Sequence, residues 1–213
     1  MVSRKADTSN PNLLRLAYRI LTAPMRTYQS LRGEAGYKKP LVFLLVFGWV
    51  TAIASGILSL YGVDYSNPSN AGGSAQIFAP WVIENYAPYL YGAIHVASFA
   101  VLVMVGYLIL LAVSFPVLAS VAWVITGRSR PFGVCLLGAF KAISYGMTPG
   151  FLFGWVPNPL YIVGLWATLW QALAVKEIFD LSYVKTLLAV LCWVIIIGVI
   201  QDVAYYLWDS LIL

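Results

Sequence analysis

Lys141, Tyr145 and Thr148 stand at i, i+4 and i+7 inside a long apolar run, so on a helix they share one face. An ammonium, a phenol and a hydroxyl in line could carry an ion or solute, or knit a structural polar network. Lys141 is the expensive member. A charge at membrane depth must find a carboxylate, a cluster of carbonyls or water. Gln171 and Asp202, in two later apolar runs, are candidates to complete the site. At ~1.5 Å of helix rise per residue, however, Asp202 falls about 10 Å nearer the far side than Lys141. A water-mediated link is therefore expected rather than a direct pair, with snorkelling of Lys141 towards the headgroups as the other outcome.

Other chemistry-bearing residues are sparse. Glu84 and His95, the only histidine, are the residues on which an enzymatic pocket would have to converge. They come without HExxH or a carboxylate cluster, so no metal site is expected. Cys135 and Cys192 lie in separate apolar runs with no CxxC spacing and read as packing residues. There is no GxSxG, no phosphate-cradling glycine loop and no pair of intramembrane aspartates. Neither a catalytic residue nor a cofactor is expected, and the chain reads as non-enzymatic.

The elements that must position these residues follow from composition. The 213 residues are 61% apolar and 10% charged, against roughly 25% charged in a soluble domain, and mean hydropathy is +0.83. This is the composition of an all-α integral membrane protein. The net charge of +5 is largely concentrated before residue 40, and no groove-reading motif accompanies it. An anionic lipid surface is the expected partner, not nucleic acid. No signal peptide is expected, because the first dozen residues are polar.

Charge placement then sets the topology. Apart from Lys141, the 13 Lys and Arg residues fall before the first apolar run (Arg4, Lys5, Arg15, Arg19, Arg26, Arg32, Lys38, Lys39) or in two later breaks (Arg128 and Arg130; Lys176 and Lys185). The intervening breaks hold no base, which is the positive-inside pattern. It predicts five spans, near 41–62, 99–126, 132–155, 160–175 and 186–207, with the N terminus inside and the C terminus outside. The uncharged run from Tyr89 to Thr126 is too long for one crossing of a ~30 Å core, so 79–98 is expected as an interfacial or half-inserted helix within an outer segment 63–98. A bend is expected near Pro116, and Pro157, Asn158 and Pro159 mark an outer turn.

Two further patterns stand out. Residues 1–39 form a basic cytoplasmic segment ahead of the transmembrane domain 40–213. Within it, Arg15, Arg19 and Arg26 share one helix face while Leu13, Leu16, Ile20 and Tyr28 occupy others. Pro24 divides the segment, which predicts an amphipathic element on the inner leaflet, either a lipid contact or a plain anchor. In the third span Gly138, Ala142, Gly146, Gly150 and Gly154 recur every four residues, a smooth seam for a neighbouring helix or a second copy of the chain.

Several segments together resemble the Yip family (Ypt-interacting proteins) in its broad sense, which includes many prokaryotic members. They are LTAPMRTYQSL at 21–31, GRSRPF at 127–132 leading into FKAISYGMTP at 140–149, and Leu165 and Trp166 through Trp170 to Ala174, Val175 and Lys176, followed by Leu181, Ser182 and Tyr183. The resemblance spans most of the chain outside 63–88. It implies a non-enzymatic multi-pass protein, of the plasma or cytoplasmic membrane if prokaryotic, that organises membrane or binds a partner. Eukaryotic relatives bind prenylated small GTPases and act in trafficking, but the long acidic or Pro-rich N-terminal region of those relatives has no counterpart ahead of the first span. The alternative function is a small-solute or ion transporter or channel using a polar path near Lys141.

Overall fold

The computed structural model describes residues 12–60, 88–155 and 160–212. Arg4, Lys5, the polar segment 63–87 with Glu84, and the turn at Pro157, Asn158 and Pro159 lie outside the described residues. Every regular element among them is an α-helix: α1 (Leu13–Thr22), α2 (Pro24–Arg32), α3 (Lys38–Leu60), α4 (Pro88–Ile125), α5 (Phe132–Gly146), α6 (Thr148–Phe153), α7 (Leu160–Phe179) and α8 (Tyr183–Ile212).

Local chemistry sets the helix ends. The Asn12 side chain accepts the Leu14 N–H at 3.2 Å and opens α1. Pro24, which needs no N–H, opens α2. Gly127, in the left-handed region at φ 66, closes α4 as the Arg128 N–H returns to the Trp123 carbonyl at 2.9 Å. Asp180 does the same for α7 at φ 57, with the Leu181 N–H on the Lys176 carbonyl at 3.0 Å.

Two expectations change. The run from Tyr89 to Thr126 is not divided near residue 98: α4 is one helix of 38 residues, from Pro88 through Pro116 to Ile125, or ~57 Å by rise. Charge parity counts crossings but does not break helices, and no stop signal interrupts this run. Residues 88–98 are therefore the first turns of a long helix rather than a separate piece. Conversely, the segment 132–155 is two helices, α5 and α6, meeting at Met147. Pro149 lacks an N–H and sits in the first turn of α6, where the helix needs none.

Among the described residues four helices, α3, α4, α7 and α8, are long and apolar enough to cross a membrane. Their outward faces carry Leu102, Ile109, Ile162, Leu165, Val184 and Ile195, each more than 60% exposed. An apolar exterior of this extent fits a multi-pass membrane protein. The shorter α5 lies at the centre, packed on α3, α4 and α7, and every residue from Gly138 to Gly146 is buried. The N-terminal pair does not stand apart from the bundle. α2 packs along α7 and α1 reaches α6, burying Leu16, Ala17, Ile20, Thr27, Tyr28 and Leu31.

Candidate functional site

The polar residues converge where α2 meets α5 and α7. A helix leaves its last carbonyls without intrahelical partners, and a cation there also complements the helix dipole. Lys141, on α5 and 2% exposed, fills both roles for α2. Its ammonium donates to the Leu31 carbonyl at 3.0 Å and to the Glu34 carbonyl. One turn along α5, the Tyr145 carbonyl accepts the Tyr28 hydroxyl at 3.4 Å and the Thr148 hydroxyl at 2.5 Å. The Tyr145 ring meets Phe43 edge to face at 5.1 Å. Among the described residues its own hydroxyl, like that of Ser144, is buried without a hydrogen-bond partner.

The α7 side adds a second set of contacts. The buried Glu177 carboxylate accepts the Gln29 amide at 2.7 Å and the Lys176 ammonium at 2.6 Å. The Glu177 carbonyl accepts Arg32 Nε at 2.7 Å, and Arg32 Nη2 pairs with Asp180 at 2.9 Å. The hydrogen bond from Arg32 holds the Asp180 carboxyl below its ordinary range. Trp170 Nε1 donates to the Ile20 carbonyl at 2.9 Å. Burial raises the Tyr28 phenol above its ordinary range, so it stays neutral. These bonds fasten the N-terminal pair to the bundle through chains of polar contacts.

Of the residues expected from sequence, Lys141, Tyr145 and Thr148 share this junction. Gln171 lies deeper. Its Cα would be 2.7 Å from a Cβ placed on Gly146, the tightest approach of α5 to α7. Its side chain lines a cavity of ≈ 230 Å³ with Ser114, Tyr107 and Trp193. Asp202 stays apart: it is exposed on α8 and makes no hydrogen bond or ion pair with Lys141. Carbonyls, not an acid, receive the ammonium. Along the glycine seam Gly138 faces the Phe179 ring, where a Cβ would sit at 2.9 Å, Gly150 faces Met147 and Ala167, and Gly154 caps α6. Ala142 is fully buried between them.

Arg15, Arg19 and Arg26 are exposed and make no ion pair among the described residues. Around α1 the side chains sort into three sectors. Leu16, Ala17 and Ile20 face the bundle, Leu14 and Tyr18 form an outward apolar flank at 68% and 66% exposure, and Arg15 and Arg19 form a basic flank.

Gln29, Arg32, Trp170, Glu177 and Asp180 were not singled out from the sequence. A signal existed in the acids Glu34, Glu177 and Asp180, which stand beside the basic breaks rather than within an apolar run. No group of three or more His, Cys, Asp or Glu able to hold a metal occurs among the described residues. Cys135 and Cys192 are both free thiols, the first buried and the second exposed. No family model matches the chain, and no curated protein or solved structure is similar to it.

Proposed function

We propose that the chain is a non-enzymatic, Yip-type membrane protein that organises membrane or binds a partner through its docked N-terminal pair, α1 and α2. In this reading α3, α4, the broken α5–α6 unit, α7 and α8 make five crossings, with the basic ends in the inner leaflet. The observation that carries it is the three-sector surface of α1. With one face on protein, the apolar flank (Leu14, Tyr18) and the basic flank (Arg15, Arg19) fit the boundary between acyl chains and anionic headgroups. Arg26 on α2 adds a third exposed base to the N-terminal pair, and a protein partner or second copy would meet the outward surface of that pair.

The transport reading needs a hydrated path to Lys141. The enclosure of its ammonium by the carbonyls of Leu31 and Glu34, and the exposure of Asp202 on another helix, favour a structural role for Lys141 instead.

The test places a fluorophore on Tyr18→Cys in the full chain, with exposed Cys192 replaced by Ser, in nanodiscs containing brominated phosphatidylglycerol or brominated phosphatidylcholine. Strong quenching by both bromolipids, and loss of the extra quenching by the anionic one when Arg15, Arg19 and Arg26 are all changed to Gln, is expected. An unquenched fluorophore would remove α1 from the membrane boundary and end this reading.

A further inference from the structure

At the basic end of the bundle a cavity of ≈ 450 Å³ opens between the α2–α3 turn, the start of α5 and the end of α7. It brings together Arg32, Arg130 and Lys141 with the single acid Glu34. The charges do not cancel. The Glu34 carboxylate is occupied by Lys39 at 3.0 Å, and Arg32 is partly balanced by Asp180 at 2.9 Å. Lys141 is held by neutral carbonyls, with two of its three N–H donors used. Arg130 is half-buried and makes no hydrogen bond or ion pair among the described residues. A positively charged concavity with an uncommitted guanidinium is built to receive an anion, and a guanidinium meets a phosphoryl group through two parallel hydrogen bonds.

The remaining walls are apolar: Val134, Leu137, Ile178 and Phe179. Val134 is 54% exposed, so the charged interior opens past an apolar side chain onto the outer surface of the bundle. With this end of the bundle in a leaflet, Trp123 and Tyr183 stand at the level where aromatic belts form, Trp123 under Arg128 at 4.9 Å and Tyr183 under Lys176 at 4.7 Å.

We infer that this cavity is a binding site for one anionic glycerophospholipid, its phosphoryl group held by Arg130, with Arg32 and the enclosed Lys141 lending positive charge from the wall, and an acyl chain leaving past Val134. The site is distinct from the α1 flank and rests only on the reading that the basic end of the bundle lies in a leaflet. The lipid would fill the angle between the docked N-terminal pair and the bundle, so its occupancy reports on that docking.

The test uses the full chain in neutral detergent, with phosphatidylglycerol or phosphatidylcholine titrated in and retention read by native mass spectrometry. The wild type is expected to retain phosphatidylglycerol preferentially. Arg130→Gln is expected to lower that preference about tenfold, the scale of one charge-assisted phosphate contact. Val134→Trp, which closes the acyl exit without touching a charge, is expected to lower retention of phosphatidylglycerol as well. The combined Arg15, Arg19 and Arg26 to Gln variant is expected to lose phosphatidylglycerol held at the α1 flank while keeping the one molecule that Arg130→Gln releases, which separates failure of this site from failure of the α1 contact. Equal retention of both lipids by the wild type, or an undiminished preference in Arg130→Gln, overturns the inference. Displacement of the lipid by millimolar inorganic phosphate would assign the cavity to soluble phosphate and overturn the lipid assignment.

Discussion

The Lys141 ammonium donates to the Leu31 carbonyl at 3.0 Å, across 110 residues of sequence. A charge that would be prohibitive in the apolar interior thereby becomes the cap of a neighbouring helix, and α5 and α2 become one unit.

Lys141→Met is expected to destabilise the protein by about 1–3 kcal/mol, the cost of losing the charged donor shared by the Leu31 and Glu34 carbonyls, the Leu31 carbonyl keeping only backbone donors such as the Glu34 N–H at 3.2 Å. Because the substitution releases α2 rather than a crossing helix, trypsin cleavage at Arg26 and Arg32 should rise before global unfolding. Thermal denaturation in detergent and timed proteolysis read the two effects. An unchanged melting temperature together with unchanged cleavage would mean that the cap contributes nothing.

How much of this was legible in advance differs residue by residue. The apolar runs and the cost of Lys141 follow from the bilayer's intolerance of charge, which acts at the level of single residues and shows in the sequence. The partner of Lys141 does not. Leu31 and Glu34 offer backbone carbonyls, which every residue has, so no residue type announces them and Asp202 stood out only because it carries a side-chain charge. The continuity of α4 was hidden for a related reason: hydropathy reports what can be buried in lipid, not where a helix ends, and α4 ends at Gly127, where the chain enters the left-handed region. The break at Met147 within the expected span 132–155 did have a signal in Pro149, which cannot continue the hydrogen-bond ladder.

The glycine seam separates close approach from mere helix tolerance. A Cβ on Gly146 would meet the Gln171 backbone and side chain at 2.7 Å, whereas one on Gly106 would meet nothing within 4 Å. Gly146→Ala is therefore expected to push α5 off α7 and cost about 1–3 kcal/mol, the range for overpacking. Gly106→Ala is expected to be neutral or stabilising by up to ~1 kcal/mol, from helix propensity alone. Melting temperatures of the two variants, measured side by side, give opposite signs. Equal effects would show that the seam is not a contact surface.

The Arg32–Asp180 pair closes the α2 end of the junction and should give it a pH dependence. Arg32 lowers the Asp180 carboxyl relative to its ordinary value, so the folded state binds that proton less readily than the unfolded chain. The stabilisation is therefore fully present above the ordinary carboxylate range, near pH 3.9 for aspartate, and is lost as the pH falls below it through the depressed value. Asp180 is exposed, its partner Arg32 is held on α7 by the Glu177 carbonyl, and Arg130 and Lys176 add smaller attractions, so the effect belongs to the α2 end rather than to global stability. A spin label or fluorophore on the neighbouring exposed Ser30, again with Cys192 replaced by Ser, is expected to gain mobility on acidification. Asp180→Asn is expected to show that higher mobility already at neutral pH and to flatten its acid dependence. If wild type and Asp180→Asn follow the same curve, the pair does not hold α2, and the bonds from Gln29 to Glu177, from Arg32 Nε to the Glu177 carbonyl and from Lys141 to the Leu31 carbonyl carry that end without it.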